Sequence, residues 1–301
     1  MSKPPSPAGF AVDLSPRGRG GATHDRRLFR MLSPCSQTKI RWGALLPRYK
    51  IVLEYDGTPF CGWQRQADRM SVQQALEESI YRFSGEKAVT QASGRTDAGV
   101  HALGQVVHFD LASARDPFRV REALNYHLKP NPAAVLDCFQ VDESFEARFS
   151  ALARHYEYRI LNRRAPAALE RNHVWHVPAP LDADRMHEAA QLILGRHDFT
   201  TFRSAECQAN SPIRTLDHFA VRRERDHVVI TASARSFLHH QVRSMVGSLK
   251  RVGEGKWSPA DFRAALDAAD RRRCGPMAPS AGLYFVRVDY PATDASQDPS
   301  P

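Results

Sequence analysis

No stretch of the 301-residue chain approaches the roughly 18 consecutive apolar residues that a membrane helix needs, since even the apolar runs around Val106 and Ile193 are soon broken by charge. A helical integral membrane protein is therefore excluded. Cysteine is sparse: Cys35, Cys61, Cys138, Cys207 and Cys274 make an odd total with no CxxC pair. Neither a disulfide framework nor a zinc ribbon is suggested, and a reducing, cytoplasmic setting is expected. There is no GxSxG elbow and no GxGxxG after a strand, so triad hydrolysis and dinucleotide chemistry have no local support. The apolar segment of a signal peptide is also missing.

What is present is an ordinary globular composition, 42% hydrophobic, 25% charged and 9% aromatic. The net charge of +9 invites a nucleic-acid reading until it is divided by segment. Residues 1–47 hold eight Lys/Arg against two acids, a net of +6, which leaves +3 for residues 48–301. The argument for a polyanionic partner must therefore rest on where particular arginines sit. Two near-motifs fail: at Gly253–Lys256 the phosphate loop's Ser/Thr position is Trp257, and at His187 the second histidine of a zinc-protease helix is replaced by Gln191.

Residues 1–47, with six prolines, five glycines and no periodicity, are expected to form a disordered basic extension, and residues 292–301 a polar tail. Between them strands and helices alternate. Residues 49–55 alternate as a strand and stop at Asp56-Gly57; Ser71 caps a helix carrying Val72, Leu76, Ile80 and Phe83, closed by Gly85. Strands around Val89 and over 105–110, a helix over 117–128 and a strand over 134–141 complete a β-α-β-β-α-β order. The second half repeats it loosely, with strands over 154–161, 216–223, 228–234 and 283–290 and helices over 182–194, 240–252 and 258–269. The predicted fold class is α+β: two split-βαβ, ferredoxin-like halves, 48–150 and 151–291, with largely antiparallel sheets and helices on one face. The opposite sheet face would be free for a ligand, RNA being a frequent one.

The most unusual run is SGRTDAGVHA at 93–102. Gly94 and Gly99 permit a tight loop, and Arg95 beside Asp97 would hold that carboxylate ionised, as a nucleophile or general base requires. Read alone, such a pair is more often a turn in which the aspartate caps its own backbone.

GRTDAGVHA resembles the active-site signature of the tRNA pseudouridine synthase A family. YKIVLEYDGTPFCGWQRQ from Tyr49, FEARFSALARHYEYRI from Phe145, DFTTFR from Asp198, CQANSP from Cys207, FLHHQVRSMVGSL from Phe237 and GLYFVRVDY from Gly282 resemble its other segments in order. The resemblance spans about residues 48–291. It implies the pseudouridine synthase fold, a homodimer, and isomerisation of uridine to pseudouridine at positions 38, 39 and 40 of the tRNA anticodon stem-loop, without cofactor or metal. It makes Asp97 the nucleophile, Arg95 the residue that holds the target nucleotide out of its stem, Tyr156 the ring that stacks on the extruded base, and Arg243 the partner of the aspartate; Tyr158 stays structural. It places RNA contacts at Arg115, at Phe145, Glu146, Ala147, Arg148 and Phe149, and at Glu206, Cys207, Gln208, Ala209 and Asn210. Cys61 is expected to be a buried small residue. His239 and His240 have no carboxylate or cysteine at ligand spacing, so no metal site is expected. The competing reading is a non-catalytic RNA-binding module or chaperone, to which Asp97 in an intact GRTDAG would be useless.

Overall fold

A computed structural model describes residues 46–292, so the expected basic extension and polar tail fall almost wholly outside the described residues. The first half comprises β1 (Arg48–Tyr55), α1 (Val72–Ser84), β2 (Gln91–Ala92), β3 (His101–Asp110), α2 (Pro117–Leu128) and β4 (Ala133–Val141). The second comprises β5 (Ala153–Leu161), β6 (Trp175–His176), α3 (Ala183–Gln191), β7 (Gly195–Asp198), β8 (Ile213–Leu216), β9 (His218–Glu224), β10 (His227–Ala234), α4 (Gln241–Gly253), α5 (Pro259–Asp267) and β11 (Leu283–Asp289).

Local chemistry sets the helix ends. Ser71 Oγ accepts the Gln74 amide at 3.1 Å to open α1, and Gly85, at φ +76°, ends it in the left-handed conformation that costs other residues strain. Asp116 caps α2 ahead of Pro117, and Ser258 with Asp261 forms a reciprocal capping box on α5. Several boundaries depart from the sequence reading. The strand expected around Val89 is only Gln91–Ala92, and Val89 is exposed. The strand expected at 105 begins at His101, so the end of the GRTDAGVHA run is already sheet. The helix expected to reach 194 stops at Gln191, and the strand over 216–223 divides at Asp217.

The larger correction concerns the sheets. The halves do not carry separate ones: a nine-stranded sheet runs β4-β1-β3-β11-β5-β10-β9, with β2 added to β3 and β6 to β5, and among the described residues only β7-β8 stand apart. The β1-β3, β1-β4 and β2-β3 pairs are antiparallel, as are β11-β5, β5-β10 and β10-β9. The seam between halves is parallel and short, His101 and Ala102 of β3 against Tyr284 and Phe285 of β11. Pairing between strands so distant in sequence leaves no local pattern from which a single sheet could be expected.

Alternation along the strands sends one set of side chains into two cores. Tyr49, Ile51, Leu53 and Tyr55 meet Leu76, Ile80 and Leu124 of α1 and α2; Tyr158, Ile160, Phe219 and Ile230 meet Met186, Met245, Leu249 and Phe262 of the later helices. Each such fully buried side chain is worth roughly 1.5–3 kcal/mol relative to exposure. Tyr156 touches both cores. No helix among the described residues is long and apolar enough to cross a membrane.

Candidate active site

The loop after β2 is fixed from beneath. Ser93 Oγ donates to Gln105 Oε1 at 2.7 Å, Gln105 Nε2 donates to the Gly94 carbonyl at 2.5 Å, and the Thr96 hydroxyl pairs with that of Tyr55 at 2.8 Å. Gln105, Ser93 and Thr96 are buried. Two glycines are sterically required here: a Cβ on Gly62, at φ +107°, would lie 2.7 Å from the Thr96 carbonyl, and one on Gly99, at φ +73°, would lie 2.7 Å from Ser280 Oγ. With anchors at 93, 94 and 96, the residues between and beyond them point elsewhere. Arg95 is exposed and has no carboxylate partner among the described residues, so it is not, as its place beside Asp97 in the sequence suggests, the cation that holds that carboxylate ionised.

Asp97 is directed at α4 rather than at its own backbone amides. Arg243 Nη1 donates to its Oδ2 at 2.9 Å, while Arg243 Nε is held by the Ala278 carbonyl at 2.9 Å. His240 Nε2 lies 3.2 Å from Asp97 Oδ2, and His239 Nε2 lies 3.4 Å from Oδ1. Burial alone would push the Asp97 carboxyl up, but the hydrogen bonds and charges of His240 and Arg243 outweigh it and hold the group below its ordinary range. A carboxylate held ionised yet partly open to solvent is equipped to add to an electrophilic carbon or to take a proton.

Tyr156, on β5, lies edge-on to Phe237 and Phe285, with ring centroids 5.1 and 5.0 Å away. Burial pushes its phenol well up, so it stands as a neutral ring. It leaves the strand on the same face as Tyr158 and Ile160, which are packed under the helices. The site thus lies on the helix-bearing side, in the gap between the two cores, and not on the opposite sheet face that the sequence reading left open. Tyr158 donates to the Pro279 carbonyl at 2.7 Å and is buried.

The structure corrects the reading of the two histidines. Asp97, 142 positions before His239 in sequence, supplies the carboxylate that spacing along the chain could not reveal. A second such set joins Asp56, His101 and His173. In both sets the rings lie alongside one another, with centroids 3.8 and 4.8 Å apart. In the second set His101 Nδ1 already accepts the Gly57 amide at 3.1 Å.

The expected RNA-contact residues separate. Phe145 and Ala147 are buried in a small core with Val106, and Glu146 is paired with Arg48 at 3.1 Å, so these three side chains serve packing. Arg48 explains why: its guanidinium binds Asp110 through both carboxylate oxygens and also donates to the Glu143 and Phe145 carbonyls, clamping this segment to β1. Arg148 and Phe149 are exposed, with Arg148 over the Phe149 ring. In the 206–210 run, Glu206, Gln208 and Asn210 are exposed and Cys207 and Ala209 half-buried. That run is tied to the site, for Arg203 donates to the Cys207 and Ala209 carbonyls at 2.6 and 2.9 Å and the Ser204 amide donates to the His239 carbonyl at 3.0 Å. Burial pushes the Cys207 thiol up, but the Ala209 and His239 amides and Arg203 bring it below its ordinary value. Arg115 is not brought to Asp97. It follows the far end of the ten-residue β3, on the order of 30 Å along the strand, resting on the Phe83 ring. Cys61 is half-buried, not buried; it lines a cleft of about 450 Å³ together with Phe60, Ala98 and Gly99.

The sequence reading missed the loop's supports, Gln105, Tyr55 and Arg154, and treated His239 and His240 only as possible metal ligands. A charged residue inside an alternating strand, as Arg154 is, was the one available signal.

The family described as tRNA pseudouridine synthase matches residues 51–150 and 189–291 of this chain. The tRNA pseudouridine synthase A of Maricaulis maris is 58% identical over 246 residues, covering 82% of this chain and 99% of that one. Those of Methylobacterium radiotolerans and Xanthobacter autotrophicus are each 59% identical, covering 81% of this chain and 98% and 100% of theirs.

Proposed function

Because the chain belongs to the tRNA pseudouridine synthase family, and so is an isomerase that converts uridine to pseudouridine in tRNA, we propose that it acts at positions 38, 39 and 40 of the anticodon stem-loop with Asp97 as nucleophile. The observation that carries the reading is the Asp97 carboxylate, kept ionised by His240 and by Arg243 at 2.9 Å, on a loop braced by Gln105 and Tyr55.

The reaction breaks the N1–C1′ bond, joins C5 to C1′, releases the C5 proton and leaves one on N1. It is redox-neutral, so a group that can add and leave, or take and return a proton, suffices. A carboxylate serves each route: addition to the base, addition to the sugar, or proton removal to give a glycal. Arg95, exposed and without an acidic partner among the described residues, is suited to hold the strand from which the nucleotide has left. Tyr156 supplies the ring against which the extruded base stacks. Arg148, Phe149 and the exposed members of 206–210 contact RNA nearby, and Arg115 contacts it farther off.

We further place the boundary between an N-terminal and a C-terminal α+β domain at 150/151, each domain a split βαβ unit. Their strand orders β4-β1-β3-β2 and β11-β5-β10-β9 follow the same fourth-first-third-second sequence, which supports this. The protein acts as a cytoplasmic homodimer in this reading.

The test is to incubate the full chain with an unmodified tRNA transcript carrying uridines at 38, 39 and 40 and in the T loop, then map pseudouridine by position. Product at the three anticodon-arm positions is expected. Product in the T loop instead would overturn the assignment.

A further inference from the structure

Arg154 is 9% exposed, and its guanidinium has no carboxylate partner among the described residues. Its donors go to three backbone carbonyls instead: Ser93 from Nε at 3.1 Å and Nη2 at 2.8 Å, Arg148 from Nη2 at 2.5 Å, and Arg235 from Nη1 at 2.5 Å. A guanidinium spans only a few ångströms, so this one side chain gathers three segments that are far apart in sequence. They are the start of the Asp97 loop, the connection between β4 and β5, and the chain leaving β10.

Each of these segments carries an exposed arginine: Arg95 two residues beyond Ser93, then Arg148 and Arg235 themselves. None of the three is ion-paired among the described residues. Burial lowers the Arg154 pKa most; the Tyr156 and Tyr290 phenols raise it, while the charges of Arg148 and Arg235 lower it, and the cationic cluster has no carboxylate partner among the described residues. An arginine fork matches phosphate oxygens well, and the tRNA backbone supplies phosphates at regular spacing.

Building on the tRNA reading above, we infer that Arg235, with Arg148 and Arg95, forms a phosphodiester-binding rim beside the Asp97 loop, and that Arg154 is the buried staple fixing its geometry. Arg235 enters as a substrate contact for which no sequence motif argued. The rim grips the strand flanking the target uridine. Because it shares Arg154 with the Asp97 loop, backbone docking and loop position are coupled through one side chain.

The experiment measures affinity of the full chain for an unmodified tRNA transcript from 0.1 to 1 M KCl, for the parent, Arg235→Gln, Arg148→Gln and the double variant. Arg225→Gln is the control. Arg225 lies in the turn at the opposite end of the eight-residue β10, on the order of 25 Å from Arg235. Removing one phosphate-binding cation flattens the slope of log affinity against log salt by roughly 0.7–0.9. Arg235→Gln should therefore bind about sixfold more weakly at 0.1 M, converge on the parent near 1 M, and add its slope change to that of Arg148→Gln. Arg225→Gln should run parallel to the parent. A parental slope for Arg235→Gln, or a weakening equal at every salt concentration, would overturn the inference. The same preparations are assayed for pseudouridine: a parent that binds but makes none refutes the functional reading, whereas an active parent with an unchanged Arg235→Gln slope refutes only the rim.

Discussion

The two halves of the sheet contribute unlike things to one site. The side built on β4-β1-β3 contributes a single acid, Asp97, on a loop braced by buried Gln105 and Tyr55. The side built on β11-β5-β10-β9 contributes Arg243, His239 and His240, the cations or potential cations within 3.4 Å of that acid, and the Tyr156 ring. Position is therefore decided mostly in the first half, with Arg154 of the second bracing the loop at Ser93, and the cations all come from the second. The difference teaches that the loop motif alone does not keep the acid ionised, since burial by itself would favour the neutral form.

The largest effect should come from cancelling the first half's contribution. Asp97→Asn keeps the shape and the supports of the loop while removing the charge, and should lower turnover by roughly 10⁴-fold or more with tRNA binding retained. Tritium release from tRNA carrying 5-tritiated uridine measures this directly, and turnover within tenfold of the parent would remove Asp97 as nucleophile.

Cancelling the second half's contribution comes next. In Arg243→Gln the burial that pushes Asp97 up remains while a charge that pushes it down is gone, so the carboxyl titrates at higher pH. The acid limb of kcat/KM should move upward by about 1–3 units, so that the rate loss grows as pH falls. An unshifted limb would show that the ion pair does not govern the aspartate's charge. His240→Asn should move the same limb in the same direction by about one unit, and the two substitutions should be non-additive because they act on one carboxylate. Independent shifts would show that the histidine acts elsewhere.

The smallest effect tests the connection between halves. Phe149 is 72% exposed whereas Phe145, four residues earlier, is 2% exposed. Phe149→Ala should leave the melting temperature unchanged and weaken tRNA binding by about 1–2 kcal/mol, the scale of one base stacked on an aromatic ring. A fall in melting temperature without weaker binding would make Phe149 a packing residue like Phe145.

These two phenylalanines also show where legibility in the sequence stops. Caps, glycine stops and alternating strands were readable because each is a local contest between backbone and nearby side chains, as at Ser71 and Gly85. Burial of Phe145 and Ala147 depends on Val106 and on the clamp from Arg48, neither of which is near them in sequence. The Asp97–Arg243 pair spans 146 positions and was reached only through resemblance of whole motifs. His239 and His240 were weighed on spacing along the chain, a measure blind to an acid that arrives from the other half. Arg154 went unnoticed because it binds carbonyls, which every residue has.

The place of β11 in the sheet bears on how the protein is made. Residues 283–289 leave the ribosome after every other strand described here, yet they fill the slot between β3 and β5. Until they emerge, the nascent chain holds two open strand edges, and its aspartate loop and its arginine helix belong to halves not yet joined by sheet hydrogen bonds. A product truncated before Leu283 would lose the sheet pairing between the halves and keep only side-chain contacts such as Arg154 to Ser93 and Arg243 to Asp97. Synthesis of the last few strand residues is thus expected to complete the site, and a chain ending before Leu283 should release no tritium from the labelled tRNA.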